Sequence, residues 1–291
     1  MYEQFYGFRT KPFALLPQEE FLFLSKQHRM ALDLLVYGLR NQAMFCVVTG
    51  AIGTGKTTLM RYLLSRNGPN VQVAMITGMD GSFLELLQWV LSGFGLDYHG
   101  LDKIGMQQAL IEYLKRQEVR GKRMVLVIDE AQALDANVLE ALRLFSNINA
   151  GRTTLLQIIL VGQPQLRDLL RRPEMQQFAQ RVGVDYVLNP LDRDQTIQYI
   201  HHRVSMSAQN RSDLFTIDAC DAVFNASRGI PRIINLMCDT ALVYGFADQK
   251  ERIDAQTVND MLADKQKDGG WLFQPLPAAT VTPITGTGTG N

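Results

Sequence analysis

Cysteine is scarce in this chain: among 291 residues there are three, Cys46, Cys220 and Cys238. They are far apart and each is set among apolar neighbours. That excludes a disulfide framework and a thiolate zinc site, and they read as buried free thiols of a reducing compartment. The four histidines do not replace them as ligands. His201 and His202 are adjacent, so on a helix they point about 100° apart and cannot chelate one ion together. An excess of one charge is missing as well, with 29 basic residues against 29 acidic ones. Net charge therefore argues neither for nor against nucleic acid, and DNA binding would need a local basic patch. No apolar run approaches 18 residues, which leaves no helical membrane span. The opening MYEQFYGFRTKPFALLP lacks the basic start, apolar stretch and small-residue cleavage site of a secretory signal. The expectation is a cytoplasmic protein, at most peripheral to the inner membrane.

What is present is ordinary for a soluble chain with a sizeable core: 46% hydrophobic and 20% charged residues. The length allows one large domain or two modest ones. Residues 1–42 hold an aromatic-rich opening and then KQHRMALDLLVYGLRN, whose apolar spacing suits a helix. From 43 to 191, short apolar runs at 44–49, 71–76, 124–129, 155–162 and 184–188 alternate with helical patterns after residue 56, at 83–92, at 105–119 and at 136–148. Continuous Val/Ile/Leu runs are the mark of strands buried on both faces, as in parallel sheets. The alternation predicts a three-layer α/β domain. From 192 to 266 the pattern changes to four helical segments without a strand, a small all-helical domain. The stretch 267–291, rich in Gly, Pro and Thr, reads as disordered.

One junction carries the chemistry. In FCVVTGAIGTGKTTLMRYLL, 45–64, an apolar strand meets a loop spaced by Gly50, Gly53 and Gly55 and then a helix. Such a loop can turn successive N–H groups inward as a nest for anionic oxygens, and the helix adds its unpaired first-turn N–H groups and positive dipole end. Lys56 supplies a charge to the β- and γ-phosphates, and the Thr57 hydroxyl reaches Mg²⁺. The spacing G-x-x-x-x-G-K-T is that of the phosphate-binding P-loop. The second junction, RMVLVIDEAQAL, brings Asp129 and Glu130 out of a buried strand. Asp129 can hold the magnesium and its waters, and Glu130 can orient and polarise an attacking water, which is how a phosphoryl-transfer site works. Hydrolysis by water follows from this pair. No N-K-x-D segment is present to read guanine, which favours adenine. In IILVGQPQL, Gln163 ends another strand, placed to sense the γ-phosphate or help position the water. Arg181 precedes the last strand, and Arg232 opens a helix of the second domain. An arginine from a neighbouring subunit can stabilise transition-state charge in such sites.

Together GAIGTGKTT, VLVIDEAQAL, LVGQPQL, AQRVGVDYVLNPL and GIPRIINLMCDTAL resemble AAA+ ATPases of the ExeA/GspA secretion type, including its shorter MshM form of pilus biogenesis, over residues 1–265. The resemblance implies an AAA+ core with a parallel sheet and a helical lid. It implies a Walker A loop of Gly50, Gly53, Gly55, Lys56, Thr57 and Thr58, with Thr54 also at the nucleotide. Asp129 and Glu130 would be Walker B, and Gln163 would stand at sensor 1. Arg181 would be a finger acting in trans within a homo-oligomer, and Arg232 the sensor 2 arginine. Residues 1–42 would border the nucleotide, with Phe13 and Leu15 near adenine. ATP and Mg²⁺ are the implied cofactors, and envelope secretion or pilus assembly proteins the implied partners. ExeA-type proteins commonly continue into a membrane span and a peptidoglycan-binding domain, which these residues do not supply. The alternative is a transposition ATPase of the TnsC/TniB/MuB type, with DNA and a transposase as partners. The basic run KRQEVRGKR at 115–123 would fit that reading.

Overall fold

The computed structural model describes residues 1–15, 21–66, 68–78, 81–145, 154–208, 211 and 213–267. The tail expected to be disordered lies, beyond Lys267, outside the described residues. Five strands, β1 (Phe45–Thr49), β2 (Val71–Thr77), β3 (Arg123–Asp129), β4 (Leu156–Gly162) and β5 (Val182–Val187), form one parallel sheet in the order β2-β3-β4-β1-β5. Placing β1 between β4 and β5, and β3 beside β4, brings the C-terminal ends of β1, β3 and β4 side by side. Those ends carry the P-loop, Asp129–Glu130 and Gln163.

Successive strand residues alternate between two cores, as a period of two requires. Phe45, Val47, Leu126, Ile128, Ile158 and Leu160 face α4 (Phe83–Gly93), α5 (Lys103–Val119) and α6 (Ala136–Phe145). Cys46, Val48, Val125, Val127, Ile159 and Val161 face α2 (Lys26–Arg40) and α3 (Lys56–Ser65). Helices on both faces complete the expected three layers. A capping box opens α4, with Ser82 and Glu85 bonding each other's backbone N–H. Three short helices, at 2–6, 164–170 and 176–179, were not expected. Pro164 is the first residue of α7 (Pro164–Leu170), because a proline at N1 gives up an N–H that has no helical partner anyway. A short α8 (Gln176–Ala179) precedes β5.

The helical domain comprises α9 (Arg193–Ser207), α10 (Ile217–Ser227), α11 (Pro231–Ala247) and α12 (Ala255–Lys267). The first 42 residues are divided between the two domains. Helix α1 (Tyr2–Tyr6) and Phe8 and Phe13 belong to the core of α9–α12, where the Tyr2 hydroxyl bonds Asp239, while α2 packs on the sheet. The chain thus begins on the lid, crosses to the sheet and returns. Cys46, Cys220 and Cys238 are free and buried, and burial pushes the thiols of Cys46 and Cys220 up to about 12.

Candidate nucleotide site

A cleft of about 480 Å³ opens where the P-loop, the N-terminal segment and the helical domain meet. Its first wall is the P-loop. Gly53 takes a φ of 81°, which only glycine adopts without strain, and a Cβ there would lie 2.7 Å from the Cβ of Arg232. The Arg232 N–H donates to the Gly53 carbonyl at 3.2 Å, so the lid touches the loop backbone to backbone. The Lys56 ammonium is buried and donates to the carbonyls of Gly50 at 2.9 Å and Ala51 at 3.0 Å. Burial lowers its pKa, and the carboxylates of Glu130 and Asp129 pull it back up. An ammonium has three donors, so one remains for a ligand oxygen.

Behind the loop, Asp129 is 1% exposed and its Oδ2 accepts from the Thr57 hydroxyl at 2.6 Å. Its Oδ1 accepts the Glu130 N–H at 2.9 Å, closing a turn in which Glu130 has φ 57°. A left-handed glutamate costs on the order of 1–3 kcal/mol and persists only where surrounding bonds hold it. Here the turn aims Glu130 into the cleft wall. A hydroxyl beside a buried carboxylate, next to a lysine, is a donor set that fits magnesium on phosphate oxygens. Thr57 and Asp129 would hold that ion.

Sequence reasoning missed Gln132. It sits in a single 3₁₀ turn, Ala131–Ala133, that folds its side chain back across the strand ends. Its Nε2 donates to Glu130 Oε2 at 2.6 Å, and its Oε1 accepts the Gln163 N–H at 2.9 Å. The Gln163 side chain donates to the same Glu130 oxygen at 3.3 Å. Two glutamines therefore grip one carboxylate oxygen, while Glu130 Oε1 has no partner among the described residues. The only sequence hint was a second polar residue two positions after the acid.

The structure brings Gly53, Thr54, Gly55, Lys56, Thr57, Thr58, Glu130 and Arg232 to the cleft wall, with Gly50, Asp129 and Gln163 directly bonded to that set. Arg181 is not among the lining residues. It lies before β5, with a guanidinium N–H on the Arg143 carbonyl at 3.1 Å. Phe13 is buried in the helical core, edge-on to Phe215, whereas Leu15 lines the cleft.

His28 was also missed. It caps one wall from α2, its Nε2 3.2 Å from the Thr54 carbonyl and its Nδ1 2.7 Å from the Ser25 hydroxyl. A carbonyl can only accept, so Nε2 carries a proton; in the neutral ring Nδ1 then accepts from the Ser25 hydroxyl. Burial lowers its pKa, in keeping with that state. The far end of the cleft is lined by Leu15, Phe21, Phe23, Leu191, Tyr199 and Arg203, an apolar and aromatic surface suited to a flat ring.

Residues 39–170 match the family model described as an AAA domain. Over 254 residues the chain is 37% identical to General secretion pathway protein A of Aeromonas hydrophila, covering 87% of this chain and 46% of that protein. The chain thus spans about half the length of that curated relative. Among solved structures, the ORC2 protein of Aeropyrum pernix in its ADPNP–ADP complexes superposes with a TM-score of 0.63 at 15% identity, covering 83% of this chain and 68% of that one. Cdc6p of Pyrobaculum aerophilum gives 0.63 at 18% identity, covering 84% and 70%. At these identities the two structures speak for the fold.

Proposed function

The chain is an AAA+ P-loop protein of the ExeA/GspA type, and from that premise we propose that it binds and hydrolyses ATP as a homo-oligomer to drive or regulate a secretion or pilus machine. The single observation that carries the catalytic part is the cluster in which Lys56, Thr57, Asp129 and a glutamine-gripped Glu130 share one cleft. The P-loop N–H groups and the Lys56 ammonium hold the phosphates. Magnesium, when bound, neutralises charge on the phosphate oxygens. Glu130 takes the proton of a water whose oxygen attacks the γ-phosphorus. The bond to the β–γ bridging oxygen then breaks, and Lys56 and Arg232 meet the charge that develops. Gln132 and Gln163 hold Glu130 Oε2, which leaves Oε1 to accept.

Arg181 stands away from its own subunit's cleft, which supports a role in a neighbour's site. Arg232 sits on α11 and touches the P-loop, so γ-phosphate contact would tie lid to sheet and its loss would release them. That movement is the output passed to an envelope partner. The test is a mixing experiment. Arg181→Ala is expected to keep nucleotide affinity and lose most turnover, and mixing it with Lys56→Ala restores part of it. A rate per molecule independent of concentration for a strictly monomeric protein would contradict the oligomer.

A second reading rests on one feature. Lys115, Arg116, Arg120, Lys122 and Arg123 are all exposed at the end of α5, a local basic patch despite zero net charge. ATP-dependent binding of double-stranded DNA at physiological salt, as filaments, would favour the transposition-regulator reading. DNA binding that disappears with modest salt leaves the secretion reading standing.

A further inference from the structure

The nucleoside end of the cleft contains a buried polar relay that neither the P-loop chemistry nor the γ-phosphate switch uses. Arg203, on α9, is 7% exposed, and its guanidinium lies over the rings of Phe21 at 4.7 Å and Tyr199 at 5.9 Å. Its Nε donates to the Pro12 carbonyl at 2.5 Å and an Nη donates to the Ala14 carbonyl at 3.2 Å. Tyr199, under that guanidinium, has one phenol proton to give, and an amide oxygen can only accept. That proton goes to Asn235 Oδ1, 2.7 Å away.

The direction of this chain of bonds fixes the Asn235 amide. With Oδ1 committed to Tyr199, the NH₂ is the free end, and among the described residues nothing accepts from it. Asn235 is 8% exposed and lines the cleft. Held in one orientation by the Tyr199 bond, the amide turns its remaining donors to the cleft. Asn235 also stands three residues after Arg232 on the same helix face, about 4.5 Å further along α11 from the P-loop contact. Arg232 marks the phosphate end, and Asn235 lies next to Tyr199 and Arg203 at the apolar end.

We propose that Asn235 is the nucleoside-reading residue of this cleft: its NH₂ donates to an uncharged acceptor on the nucleoside, a ring nitrogen or a ribose oxygen, and Tyr199 sets which end of the amide is presented. The inference rests on the nucleotide-site reading above. It adds that affinity for the non-phosphate part of the ligand is written on the lid, one helical turn from the residue that meets the phosphates. Closing the lid then reports on both ends of the ligand at once.

The experiment compares ATP with inorganic tripolyphosphate as ligands of the full chain. Asn235→Asp keeps shape and the Tyr199 bond but replaces the donor by an acceptor. It is expected to weaken ATP binding by roughly tenfold or more, the scale of one buried hydrogen bond lost or reversed. Tripolyphosphate affinity should be unchanged, which also shows that the variant folds. Tyr199→Phe frees the amide to turn and is expected to weaken ATP by about threefold, again without touching tripolyphosphate. 2′-Deoxy-ATP and 7-deaza-ATP separate the two acceptor classes. An analogue lacking the partner atom no longer distinguishes wild type from Asn235→Asp. Equal ATP affinity in wild type and Asn235→Asp would overturn the proposal. Failure of the wild type to bind either ligand would instead remove the nucleotide reading beneath it.

Discussion

The two ends of the cleft are built in opposite ways. The phosphate end comes mainly from the tips of adjacent parallel strands, and most of its groups sit in two short contiguous runs, Gly50–Thr58 and Asp129–Gln132, joined by Gln163 and Arg232. The nucleoside end is assembled from chain segments that are far apart, with Pro12 and Ala14 from the start of the chain, Tyr199 and Arg203 from α9 and Asn235 from α11. At the first end, backbone geometry and full charges do the work, so the chemistry is local. At the second, a buried cation and two side-chain dipoles work only because the N-terminal segment is packed onto the lid. The difference teaches where binding and movement are coupled. On the proposed reading the strand tips would hold the phosphates and the helical domain the nucleoside.

The comparison breaks most sharply at Lys56. Lys56→Ala removes the one full positive charge buried beside the P-loop, and nucleotide affinity is expected to fall more than a hundredfold by titration, for ATP and tripolyphosphate alike. Arg203→Met should act at the other end only. It frees the Pro12 and Ala14 carbonyls, and hydrogen exchange within residues 1–15 should accelerate. ATP affinity should fall by roughly tenfold, the scale of one or two bonds to a charged donor, while tripolyphosphate binding stays. Equal losses for both ligands in Arg203→Met would show that the two ends are not separate.

The smallest expected effect is in pH dependence. Burial holds the His28 pKa below that of the unfolded chain, near 6.5. Below that pH the unfolded state takes up a proton that the folded state refuses, so stability falls as pH drops from about 6.5 to the folded pKa and changes no further beneath it. His28→Gln should flatten part of that slope in thermal melts. His202, whose pKa burial also lowers, acts in the same direction.

The same contrast governs how much was legible in the sequence. The five strands and the helical C-terminal region could be read because periodicity is a local property, and the strand-end motifs that line the cleft lie in contiguous runs. Gln132 lay inside a quoted motif, yet its grip on Glu130 depends on a 3₁₀ turn and a left-handed glutamate that no spacing rule announces. Nothing in HHRVSM marks Arg203 as buried, and only the packing of Phe21 and the N-terminal carbonyls over it reveals burial. The aromatic opening carried no signal of which domain it joins, since Tyr2, Tyr6 and Phe13 suit any apolar surface. Gly229 stands between α10 and α11. In the structure its φ of 72° and a Leu191 carbonyl 1.8 Å from where a Cβ would sit make it the joint that aims α11 at the P-loop.

The central claim is that this cleft holds ATP and that Glu130 activates the water that cuts it. Glu130→Gln tests it most directly, because the amide keeps the shape and the cleft but cannot take a proton. Paired measurements of ATP affinity and steady-state phosphate release are expected to give wild-type binding with turnover lower by about 10² to 10⁴. Turnover at the wild-type rate would contradict the account.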